Sequence, residues 1–206
     1  SRRTGNGEYN NENPPLETGM NLGFQKLEER IIATTTSTTT QLRTSSVSSI
    51  IDIVGCDITI DDIQSVEQEL IKNEVDLKMN VNENQKFPAP WNGDTTYMMT
   101  PLIHFCWTGN LLVIKVLFLI GADCSTCTEG DSFSPILAAA QGGHLDICKW
   151  LYEYGGDAKD QINKETSWGN TPLRAAYYAW KYGTREKDGK SCRWLLLNGG
   201  GQNLSS

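Results

Sequence analysis

The sequence has no run that is both apolar and long enough to cross a bilayer. Its longest near-apolar stretch, LLVIKVLFLIGA at residues 111–122, carries Lys115 and falls well short of the roughly 20 residues a spanning helix needs. Positive charge is also scarce. Eighteen Lys and Arg against 25 Asp and Glu leave a net charge of −7, whereas a nucleic-acid binder needs a cationic stripe to displace condensed counterions. No nucleic-acid partner is expected. Histidine occurs only at positions 104 and 144, and no glycine-rich phosphate loop follows a strand pattern; Gly199-Gly200-Gly201 reads as a helix end and tail.

The six cysteines show no regular spacing and so do not read as a disulfide framework. Cys106, Cys148 and Cys192 read as small apolar packers inside helices, and the expected setting is a reducing intracellular compartment. That compartment is the cytosol, or an organelle interior reached after removal of a leader before Ser1. Cys124-Ser125-Thr126-Cys127 is the one metal-like spacing. A tetrahedral zinc site needs two further ligands, with Cys106 and His104 nearest in sequence, and a lone CxxC lacks that second pair. Zinc dependence is therefore a remote third reading. Asp61-Asp62 and Glu28-Glu29 pair carboxylates, but on helix starts or solvated faces, where they complement the helix dipole. No catalytic residue, cofactor or metal is expected, and the chain does not read as an enzyme.

What is present is a repeat. Residues 134–157 read SPILAAAQGGHLDICKWLYEYGGD. Ser134-Pro135 starts a helix, because the hydroxyl takes an orphan N–H and proline has none to lose. Ile136, Ala139 and Ala140 give that helix a thin apolar face, and Gly142-Gly143 ends it. A second helix follows, with Leu145, Ile147, Cys148, Leu151 and Tyr152 at helical spacing, and Gly155-Gly156 closes it. Thr100-Pro101-Leu102, Gly109 and Gly121 stand 34 residues before Ser134-Pro135-Ile136, Gly143 and Gly155. A third copy begins at Thr171-Pro172-Leu173 and ends SCRWLLLNGGG, with WKYGTREKDGK inserted between its helices.

This unit resembles the ankyrin repeat, whose pattern is T-P-L-H-x-A-A-x-x-G-H followed by an apolar helix ending L-L-x-x-G-A-D, at a period of about 33 residues. The resemblance implies an all-α helical solenoid, here with an extended N-terminal arm. It places His144 in the G-H position, as a helix-start residue bonded to backbone. The histidine after T-P-L is replaced by Ile103, Leu137 and Arg174. Phe105 and Tyr177 stand where small residues sit, so those repeats are expected to pack irregularly around the bulk.

The rest of the chain divides by composition. Residues 1–45 form a polar arm containing one short amphipathic helix, about 20–33, with Met20, Phe24, Leu27 and Ile31 as its stripe, followed by a Ser/Thr-rich linker. Residues 46–80 read as a degenerate, polar-faced capping repeat. Val47, Ile50, Ile51 and Val54 suit one helix; Asp61 and Gln64 form a capping box for a second. Residues 81–99 read as an enlarged Pro/Trp loop in which Pro88 and Pro90 stiffen an extended run presenting Phe87 and Trp91. Residues 100–206 hold the three clear repeats.

Hairpin tips and first helices form the concave binding face in ankyrin stacks, so the resemblance implies protein partners docking there. The tips are Glu129, Asp131 and Phe133, then Lys164, Glu165 and Trp168. Trp107, Gln141, Tyr178 and Trp180 are the first-helix candidates, while Trp150 and Trp194 on second helices pack within the stack. The insert, with Lys181, Arg185, Lys187, Lys190 and Arg193, is the only locally basic patch. It suits an acidic partner or peripheral contact with membrane headgroups. Together with Phe24 and Leu27 of the arm, these residues are the candidate partner contacts. The expected function is that of a non-enzymatic accessory or scaffold subunit of a larger assembly. The alternative is a transient adaptor or regulator using the concave face on a soluble partner.

Overall fold

In the computed structural model, the described residues are 58, 60–76, 79–88, 95–182 and 189–201. The arm, its helix over about 20–33, the Ser/Thr tract and the helix suggested over Val47–Val54 lie outside them. Three hydroxyl–proline pairs open three helices by one device. Thr100, Ser134 and Thr171 hold extended backbone, and their hydroxyls accept the N–H of Ile103, Leu137 and Arg174 at 3.3, 3.3 and 3.2 Å. Those N–H groups are among the orphan donors of a helix start.

The order is α1 (Ile60–Lys72), β1 (Gln85–Pro88), β2 (Thr96–Met99), α2 (Pro101–Thr108), α3 (Leu111–Leu119), α4 (Pro135–Gly142), α5 (Leu145–Tyr154), a 3-10 helix (Gly156–Asn163), α6 (Pro172–Lys181) and α7 (Lys190–Leu197). The first helices stack as α2, α4, α6, each against its own second helix α3, α5 or α7, and α1 packs on α3. The fold is an all-α helical solenoid. α4, in the middle of the first-helix row, is buried from Pro135 to Ala140. Three consecutive alanines at 0 % exposure let both neighbours approach it.

Second helices interlock through aromatic rings. Phe118 meets Trp150 edge-on at 5.5 Å, and Tyr152 meets Trp194 the same way at 5.4 Å. Between first-helix ends, His144 Nε2 lies 3.0 Å from the Trp107 carbonyl. Its ring fills the space left by Gly109 and Gly142, where a Cβ would stand 2.2 Å and 2.6 Å from ring atoms. An alanine at either glycine would expel the imidazole.

Loops are joined by side-chain amides reading the next unit's turn. Asn82 accepts the Asp123 N–H at 2.7 Å and donates to the Gly121 carbonyl at 3.0 Å. Asn163 repeats this pairing two units on, with Gly201 N–H at 2.7 Å and Gly199 carbonyl at 2.8 Å. At the joint between them the donor is Gln161 Nε2, 2.8 Å from the Ser125 carbonyl.

Three expectations need correction. The 81–99 segment is not simply a loop: β1 and β2 form an antiparallel hairpin with Gln85 opposite Met99 and Phe87 opposite Tyr97. Strand alternation then turns Phe87 inward, since β1 is buried, exposed, buried, exposed along its length. Phe87 is 0 % exposed and stacks on His104 at 4.3 Å; it presents nothing to solvent. Nor does bulk disturb both irregular repeats alike. Phe105 is buried in the core, whereas Tyr177 is 40 % exposed, with no described repeat beyond it to distort.

Candidate partner-binding groove

Successive hairpin tips place register-equivalent residues side by side. Tyr97, Asp131 and Trp168 occupy one position, 34 and 37 residues apart, and Met99, Phe133 and Asn170 occupy another. All six, with Gln141 of α4 and Thr166, line a groove of about 210 Å³. Its most exposed member is Trp168, at 77 %. The indole is nonetheless held: Trp168 Nε1 donates to Asp131 Oδ1 at 3.2 Å, and Ser167 donates its N–H to the Asp131 carbonyl at 3.1 Å and its hydroxyl to Oδ1 at 3.3 Å. Thr166 closes the turn beneath, its hydroxyl accepting the N–H groups of Trp168 and Asn170 at 3.3 and 3.1 Å. The result is a large aromatic surface fixed in place with its polar end satisfied by the neighbouring tip.

The chemistry around the groove is quiet. Burial pushes the Cys124 thiol up to about 12 and raises the Cys106 thiol well above its ordinary value, so neither is a thiolate near neutral pH. Asp123 is lowered by the hydrogen bonds it accepts from Ser125, side chain and backbone, which makes it a turn residue rather than a proton carrier. Cys127 receives the Lys164 ammonium at 3.2 Å. No group of three His, Cys, Asp or Glu converges to hold a metal among the described residues.

A family model described as Ankyrin repeats (3 copies) matches residues 102–203. This is an ankyrin-repeat protein. No curated protein matches the chain. Ankyrin repeats are in general protein–protein interaction modules, typically without catalysis, and among the described residues no helix is long and apolar enough to cross a membrane.

Within the ankyrin stack the sequence-nominated residues separate. Asp131, Phe133, Gln141 and Trp168 come together in the groove. Glu129, Lys164 and Glu165 are exposed near the tips but do not line it. Trp107 is corrected: it is 5 % exposed and packs at 5.7 Å on Phe133, because the next hairpin folds over it. Tyr178 and Trp180 stand exposed on α6, outside the groove. Phe24, Leu27, Trp91, Arg185 and Lys187 lie outside the described residues. Sequence reasoning missed Tyr97 and Met99. The signal was available, since subtracting the 34-residue period from Asp131 and Phe133 names both.

Proposed function

We propose that the chain is a non-enzymatic binding module, an accessory or scaffold subunit of a larger assembly, that grips a partner protein in the Tyr97–Asp131–Trp168 groove. The observation that supports this reading is the Trp168 indole, pinned by Asp131 yet 77 % exposed. Covering such a ring contributes roughly 2 kcal/mol or more, and little rotamer freedom is left to lose on binding. A rigid, exposed aromatic lining a groove is what interface energetics favour. A reducing setting suits the thiols of Cys106, Cys124 and Cys127, which form no disulfide.

The test is partner identification by cross-linking mass spectrometry on the natural assembly, then affinity measurements on substituted chains. Trp168→Ala should weaken the complex at least tenfold while far-UV circular dichroism stays unchanged. An unaltered affinity would remove the groove from the account. Retention of the chain through a high-salt wash is the result expected of a stable subunit, whereas loss would favour the adaptor.

A further inference from the structure

We infer that the outer face of the last repeat, formed by α6 and α7, docks an acidic amphipathic helix of a partner protein. The first argument is register. Along the second helices Phe118, Tyr152 and Leu196 occupy one position and Val116, Trp150 and Trp194 another. Each aromatic at the first position receives the tryptophan of the following repeat, Phe118 taking Trp150 and Tyr152 taking Trp194. Leu196 is the same seat one unit on, and it is 58 % exposed. The first helices repeat the pattern: Cys106 and Ala140 are 0 % exposed, whereas their equivalent Tyr177 is 40 % exposed. This repeat leaves Tyr177, Trp180, Tyr182, Leu196 and Leu197 at 40–80 % exposure, and large apolar side chains left exposed together on one repeat mark an interaction site.

The second argument is charge. α6 and α7 bear Arg174, Lys181, Lys190 and Arg193 and not one carboxylate, on a chain whose net charge is −7. The cations frame the rings. Lys181 Nζ lies 5.5 Å from the Tyr177 centroid and 5.6 Å from that of Tyr182, and Arg174 lies 5.6 Å from that of Tyr178. A second copy docking face to face would oppose like charges, at a cost. An acidic partner meets complementary charge from both helices, and a helix is the element that this seat accepts elsewhere in the stack. This surface is separate from the groove, and its failure would leave the groove reading untouched.

The probe is a fluorescein-labelled synthetic 18-residue helix with glutamates on its polar face and leucines plus one tryptophan at i, i+3, i+4, i+7 spacing. Its lysine-for-glutamate counterpart is the comparison. Titrated by anisotropy with the full chain, the glutamate helix should bind saturably and the lysine helix should not. Affinity should fall at least tenfold in Leu196→Glu and in the double variant Lys181→Glu/Arg193→Glu, both at exposed positions and both checked for native circular dichroism. Raising salt from 50 to 300 mM should weaken binding as well. The inference is overturned if the glutamate helix does not bind, if both helices bind alike, or if the variants bind as the parent does. It is equally overturned if sedimentation shows a dimer that Leu196→Glu abolishes. Binding of phosphatidylcholine–phosphatidylserine vesicles instead, lost in the same variants, would reassign the face to membrane.

Discussion

The two ends of the stack solve the same problem in opposite ways. At the N-terminal end, α1 buries Ile63, Val66 and Leu70 at 3 % exposure or less and turns Asp61, Gln64, Ser65 and Gln68 outward. Its connection is tied down as well: Gln85 accepts the Asp76 N–H at 2.9 Å and donates to the Asp76 carbonyl at 3.0 Å, while Asn73 accepts from His104 Nε2 at 3.1 Å. The C-terminal end has regular helices, α6 capped by Thr171, yet leaves apolar side chains uncovered. α1, which lies before the matched residues, covers its core positions. The third repeat, with its insertion and with Arg174 and Tyr177 at pattern positions, leaves the seat equivalent to Tyr152 uncovered by the described residues.

The sharpest way to break this contrast is to truncate one leucine at each end. Leu70→Ala, at a site with 0 % exposure, should cost roughly 2–5 kcal/mol by chemical denaturation. Leu197→Ala, at 80 % exposure, should change stability by no more than about 0.5 kcal/mol. Equal costs would mean that the ends are alike.

Acid should next loosen the N-terminal end selectively. His104 is 4 % exposed and its pKa is lowered to about 4, chiefly by burial, against a smaller raising effect of Glu69. The unfolded chain, titrating near 6.5, therefore takes up its proton first as the pH falls. Stability contributed by the neutral ring should decline from about pH 6.5 to about pH 4 and then level off, an effect of about 3 kcal/mol at most. His104→Gln should flatten that segment of the pH–stability profile; an unchanged profile would assign the titration elsewhere.

A smaller effect tests the turn that follows α1, α3 and α7. Glu74 holds φ 54 at the position occupied by Gly121 (φ 102) and Gly199 (φ 95), so a side chain sits where glycine pays no steric cost. Glu74→Gly should raise stability by about 1 kcal/mol, and Gly121→Ala should lower it by about as much. No heavy atom lies within 4 Å of a Cβ built at Gly121, so backbone conformation alone would account for the loss. The smallest shift is expected from Leu197→Glu, which should leave the denaturation midpoint within experimental scatter while reducing aggregation at high concentration.

Much of this architecture is legible in the residue order. Thr-Pro and Ser-Pro pairs state where first helices begin, and the 34-residue interval between Thr100 and Ser134 states that the units are copies. His144 could be read as a backbone-bonded helix-start residue, and it is one, although that its acceptor is Trp107 in the preceding unit could not. The groove was half legible. Asp131, Phe133, Gln141 and Trp168 followed from the family pattern, whereas Tyr97 and Met99 were hidden behind a proline-rich segment that reads as loop until β1 and β2 are seen to pair.

Composition and period by themselves determined the helical solenoid, its caps and the positions that recur in each copy, because these depend on local backbone chemistry and on spacing along the chain. Tertiary structure alone decided which aromatics are inside. Phe87 and Trp107 are covered because His104 and the next hairpin lie over them; Tyr177 and Leu196 are uncovered because no described repeat follows. Burial belongs to the neighbour as much as to the residue, and no local pattern says whether the neighbour is there.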